Sequence, residues 1–148
     1  MTKTPLKPVK KSLIKKNPIQ TKKVAPTLKR INITMANAPE GIESANKIFK
    51  KDTIVVLVYS NQCGHCQQMR VDWDSFCKNS IKKQVSSTVE IDLNALSTTT
   101  TKNSFLNSVQ SKFSGGVPFV VKILPDGEVV HYNGNRTSSD LEKFAKSG

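Results

Sequence analysis

Cys63-Gly64-His65-Cys66 places two thiols and an imidazole within four consecutive residues. The segment before them, Thr53–Tyr59, is a continuous β-branched and apolar run, the pattern of a strand buried on both faces. The segment after them carries Met69, Trp73, Phe76 and Cys77 at helical spacing and predicts a helix to about Lys82, with Ser60 or Asn61 available to cap it. A buried strand therefore delivers two cysteines to the start of a helix. A helix N-terminus has unpaired N–H groups and partial positive charge, so a thiol placed there ionises more easily, and the thiolate is the form that attacks disulfides. In that setting C-x-x-C reads as a dithiol redox pair rather than a metal site. Zinc wants four ligands, and only Cys77 and His131 are available to complete a set.

The remaining elements are those needed to carry this turn. Ile31–Met35 alternates and predicts a short strand, and Pro39-Glu40-Gly41 opens a helical pattern through Ile42, Ala45, Ile48 and Phe49 that ends near Lys51. Ser87–Leu93 alternates Val89, Ile91 and Leu93 with polar residues, a third strand. Ser97–Thr101 is a polar loop, Asn103–Lys112 a short amphipathic helix, and Gly115-Gly116 its end. Val117–Ile123 is a strand that turns at Pro125-Asp126-Gly127 and pairs back through Glu128–Tyr132. Ser138 or Ser139 caps a last helix carrying Leu141, Phe144 and Ala145. The order β-α-β-α-β-α-β-β-α predicts an α/β fold with parallel pairing early and a closing hairpin.

Charge divides the chain. Of a net +12, +10 falls in the first thirty residues, which hold ten Lys/Arg and four prolines, with no acid before Glu40 and no apolar run. Such a segment cannot bury enough surface to offset its ordering entropy, so residues 1–30 read as a disordered basic tail and 31–148 as one domain. As a flexible polycation, residues 3–30 could neutralise the phosphates of nucleic acid or coat another anionic surface. They contain no aromatic residue to stack on bases, and a solubilising or import role fits equally. No secretory apolar segment or membrane span is visible, which points to the cytoplasm or a particle assembled there, such as a virion. An odd count of three cysteines argues against a disulfide-stapled scaffold.

Four features together resemble the thioredoxin fold of the protein disulfide-isomerase type: Cys63-Gly64-His65-Cys66 itself; the strand ending in Val58-Tyr59 before it; Val117-Pro118 about fifty residues downstream at a strand start; and Tyr132-Asn133-Gly134-Asn135-Arg136-Thr137 leading into the last helix. The resemblance spans roughly residues 31–148 and implies a central mixed sheet of four to five strands flanked by helices. It implies a thiol–disulfide oxidoreductase or isomerase acting on protein clients, with no metal or organic cofactor beyond the redox-active Cys63–Cys66 pair. Cys63 would attack, Cys66 resolve, His65 stabilise the thiolate within the Gly64-His65 spacer, and Arg136 swing toward the second cysteine and lower its pKa. Gln62, Val117 and a cis Pro118 would meet an extended client by strand addition. Isomerase-type pairs sit near roughly −180 mV against about −270 mV for thioredoxin, a gap of about 4 kcal/mol in favour of the dithiol.

Departures from the pattern bear on activity. Gln62 stands where the family usually has tryptophan, Leu57 where it often buries an acid thought to relay the Cys66 proton, Gln67 where lysine is common, and Val71 where a helix-kinking proline is usual. Loss of the acid predicts slower release of client, and loss of the lysine predicts less acidic thiols. These departures motivate a second reading, a non-catalytic binding module whose basic tail is the working part. Cys77 and Trp73 read as core residues, and His131 as a strand residue.

Overall fold

Ile54–Tyr59 becomes the middle strand of a five-stranded mixed sheet, buried at all six positions. The computed structural model describes residues 28–147. Its elements run β1 (Arg30–Ile33), α1 (Ala38–Ile48), β2 (Ile54–Tyr59), α2 (Gly64–Gln68), α3 (Arg70–Lys82), β3 (Ser87–Asp92), α4 (Leu93–Thr98), α5 (Ser104–Lys112), β4 (Phe119–Ile123), β5 (Val129–His131) and α6 (Ser138–Lys146). The spatial order is β1-β3-β2-β4-β5, parallel across the first three strands and antiparallel across the last two. Crossover helices force the parallel pairs, and the Asp126-Gly127 turn closes the hairpin, with Gly127 at φ 94° where a side chain would strain the backbone.

Helices cover both faces. Ile42, Val56, Val58, Phe105 and Val121 join α1 and α5 to one face; Val55, Leu57, Met69, Trp73, Phe76 and Leu141 join α2, α3 and α6 to the other. Each such side chain contributes about 1.5–3 kcal/mol by leaving water. The second cluster is the floor on which the two motif cysteines rest.

Three expectations need correction. The helix after the motif is not continuous: it breaks at Met69 (φ −84°, ψ −3°) without any proline at position 71. The bend accompanies the burial of Met69 and lets Arg70 reach Glu90 Oε2 at 2.6 Å. The strand expected to reach Leu93 stops at Asp92, whose carboxylate accepts Asn94 N–H (2.9 Å) and caps a short helix; that helix takes Ser97 and Thr98 from the expected polar loop, and residues 99–101 remain outside any helix or strand. The last helix is capped by Thr137, not Ser138 or Ser139. Despite its alternating pattern, β3 lies between β1 and β2 under helices on both sides, and Glu90 is 3% exposed.

The expected disorder of residues 1–27 lies outside the described residues. Arg30, counted with the tail, is the first residue of β1, and its Nε donates to Glu90 Oε1 (2.8 Å) while it also pairs with Asp74. It is a cation of the fold and not of a free polybasic segment.

Candidate active site

Beyond Tyr59 the chain leaves the sheet in a tight turn, with Cys63 N–H donating to Ser60 O (3.1 Å). Ser60 Oγ accepts from Gln62 N–H and so is spent within the turn. The cap of α2 is Cys63 itself: its backbone is extended (φ −92°, ψ 117°) and its sulfur accepts the N–H of Cys66 at 3.2 Å. A thiol has taken the place usually filled by a serine or aspartate oxygen.

That placement separates the two thiols. Cys63 is half-buried at the rim, whereas Cys66 is 4% exposed and rests in the apolar floor. A hydrogen bond from the Cys66 thiol, helped by the backbone N–H groups of Cys66 and His65 and by the charge of Arg136, holds Cys63 below the ordinary thiol range, against the opposing effect of its own partial burial. Cys66 moves the other way, pushed up to about 11 chiefly by burial and then by holding its proton for Cys63, with Arg136 opposing. All three cysteines are free thiols, and Cys77 is sealed in the core, pushed up to about 12 by burial.

Across from the pair, the Cys63 thiol donates to Val117 O at 3.6 Å, and the Val117–Pro118 peptide is cis. A groove of about 330 Å³ runs beside it, walled by Pro118, Phe119, His131, Tyr132 and Arg136. A second, of about 360 Å³, lies between α2 and the loop before α6, walled by His65, Gln68, Asp72 and Arg136. Tyr132 shapes that loop: its hydroxyl donates to Asn135 O, its ring packs on Phe144 at 4.7 Å, and a Cβ at Gly134 would sit 2.5 Å from its oxygen. The close approach requires glycine there and leaves Arg136 at the boundary of both grooves.

Cys63, Val117, Pro118 and Arg136 thus face one surface, and Cys66 lies buried beneath Cys63. His65 turns its backbone N–H to Cys63 and its side chain to the second groove. Gln62 is exposed on the same turn, and a Cβ at Gly64 would meet nothing within 4 Å, so packing does not require that glycine. His131 stacks on Phe119 (5.0 Å), and among the described residues no three His, Cys, Asp or Glu side chains gather to hold a metal.

Two groups beneath the site went unread in the sequence. Glu90 pairs in register with Leu57 on the neighbouring strand, and its carboxylate accepts from Arg30, Arg70 (2.6 Å) and Trp73 Nε1 (3.1 Å). Arg70 also lies over the Tyr59 ring, 4.9 Å from its centroid. An acid flanked by Val89 and Ile91 reads as a solvent-facing position when the strand is taken for an edge; knowing it is second in the sheet would have flagged it.

Among the described residues no helix is long and apolar enough to cross a membrane. The thioredoxin family model matches residues 40–147. Protein disulfide-isomerase A4 of Mus musculus and that of Rattus norvegicus are each 27% identical over 97 residues, covering 65% of this chain and 14% of theirs, so the chain spans about one-seventh of their length. The first thioredoxin domain of mouse protein disulfide-isomerase A4 superposes with TM-score 0.53 and 21% identity, over 78% of this chain and 71% of that one. The J-Trx1 fragment of ERdj5 gives 0.55 and 19%, over 77% and 49%. With the sheet order, the helix-capping cysteine and these likenesses in hand, the chain is a member of the thioredoxin family.

Proposed function

We propose that the protein is a thiol–disulfide oxidoreductase whose clients are protein disulfides and whose reacting atoms are the sulfurs of Cys63 and Cys66. The observation that carries this reading is the asymmetry of the pair: one accessible sulfur capped by N–H donors, one buried sulfur retaining its proton one turn below. The Cys63 thiolate attacks a client sulfur, the client disulfide breaks, and its other sulfur leaves as thiolate. Cys66 then attacks Cys63 within the mixed disulfide, the client is released reduced, and the pair ends as a disulfide; run backward, the same steps oxidise a client.

Ionising Cys63 removes the only proton it could donate to Val117 O, which frees that carbonyl for the backbone of an extended client. Donors aimed at Cys63 stabilise the dithiol relative to the disulfide, and this supports an oxidising or isomerising poise; equilibration with glutathione should read nearer about −180 mV than about −270 mV. The test of the reading is Cys63→Ser, which is expected to abolish reduction of insulin disulfides, while Cys66→Ser accumulates covalent client adducts. Full turnover by the Cys63 variant would rule the mechanism out.

A further inference from the structure

Before it can resolve a mixed disulfide, Cys66 must lose a proton, yet it is 4% exposed and shares its apolar floor with Leu57, which cannot accept one. The charged and titratable groups that bear on it are Cys63 from its own segment and Arg136 from the loop before α6; Arg70 from α3 and Tyr59 from β2 share a cleft with it, and Glu90 and Asp92 from β3 act on Tyr59 from behind. A chamber of about 180 Å³ opens onto Cys66 between Tyr59, Ser60, Asn61, Gln67 and Arg70. It shares no residue with the grooves at Arg136, and at about 30 Å³ per water it has room for several. Its rim is tied by Gln67 Nε2 donating to Asn61 O (2.7 Å).

Arg70 is not a loose surface arginine. Its guanidinium is fixed from below by Glu90 Oε2 and from the side by the Tyr59 ring, and Glu90 is itself held by Arg30 and Trp73. We propose that this chamber is the route by which the Cys66 proton leaves to solvent, and that Arg70, held at its wall by Glu90, stabilises the thiolate that results. This rests on Cys63 as attacking and Cys66 as resolving thiol. The Cys66 S–H gives its proton to chamber water and thence to buffer; the sulfur's electron pair forms the bond to Cys63; the Cys63–client bond breaks and the client sulfur departs with its pair. Glu90 is a positioning residue that acts through Arg70.

The experiment uses the full chain and 5,5′-dithiobis(2-nitrobenzoate) in a stopped-flow instrument. One coloured thiolate is released when Cys63 attacks and a second when Cys66 resolves. Arg70→Met is expected to leave the first phase unchanged, slow the second about tenfold at pH 7, and raise its pH midpoint by about one unit. Arg70→Lys, which keeps the charge, should run close to the parent. Asn61→Trp, which fills the chamber and keeps the cation, should slow the second phase without moving its midpoint, and it carries the test alone if Arg70→Met does not fold. A second phase at the parental rate in Asn61→Trp and in any folded Arg70→Met overturns the proposal. A first phase that survives Cys63→Ser would sink the underlying assignment of the two thiols instead.

Discussion

Alkylation of the reduced protein by iodoacetamide at pH 7 should modify Cys63 at least about 100-fold faster than Cys66. The ratio follows from the two sulfurs' surroundings. Cys66, pushed up to about 11, is thiolate in about one molecule in 10⁴ at pH 7, whereas Cys63, held below the ordinary thiol value of 9.0, is thiolate in more than about one in 10². Only the thiolate reacts, so the reactive populations differ by at least about two powers of ten; the more basic Cys66 thiolate is the better nucleophile and takes back about one of them, and the burial of Cys66, 4% exposed, restores the gap. Quenching at intervals and counting modified peptides by mass spectrometry reads both rates in one sample. The Cys63 rate should level off at a lower pH than that of free cysteine. Modification of Cys66 within tenfold of Cys63, or a Cys63 profile superimposable on free cysteine, would refute the view that the helix cap and the second thiol set this chemistry.

Three further outcomes are expected. Cys77 is protonated in the fold up to about 12 but ionises near 9.0 when unfolded, so its contribution is fully present below pH 9 and lost as pH climbs toward 12, to a limit of about 4 kcal/mol; urea melts between pH 8 and 11 should show a steeper decline for the parent than for Cys77→Ala. Gly41→Ala adds a Cβ 2.8 Å from Cγ1 of the fully buried Ile33, and an overpacking cost of about 1–3 kcal/mol should outweigh the ~1 kcal/mol gained in helix propensity, a net loss measurable by denaturant titration. The anion-binding reading of the basic segment predicts duplex-DNA affinity whose logarithm falls with the logarithm of salt with a slope of up to about −7, since eight lysines precede residue 28; removing residues 1–27 should abolish it and leave the alkylation profile intact, and unchanged affinity would dismiss that role.

Much of the scaffold was legible because its signals are local. The β-branched run at Thr53–Tyr59, the Asp126-Gly127 turn and the apolar spacing of α1, α5 and α6 each state a conformation within a few residues. The misses share a cause. The break at Met69 has no proline to announce it and goes with contacts to β3, twenty residues on. Glu90, in an alternating strand, and Lys122, a lone charge in an apolar run, look like solvent-facing residues, but both strands lie inside the sheet, and each side chain is buried with its charge answered by a partner distant in sequence: Arg30 and Arg70 for Glu90, the carbonyls ending α6 for Lys122.

By itself the order of residues determined that two thiols stand at a strand-to-helix turn, because strand pattern and spacing are properties of one short segment. Tertiary structure alone decided which sulfur is acidic and which keeps its proton. That difference depends on depth, on a thiol serving as its own helix cap, and on an arginine seventy residues away along the chain. Electrostatic interactions act through space, so nearness in the fold and not nearness in the chain sets the strength of each.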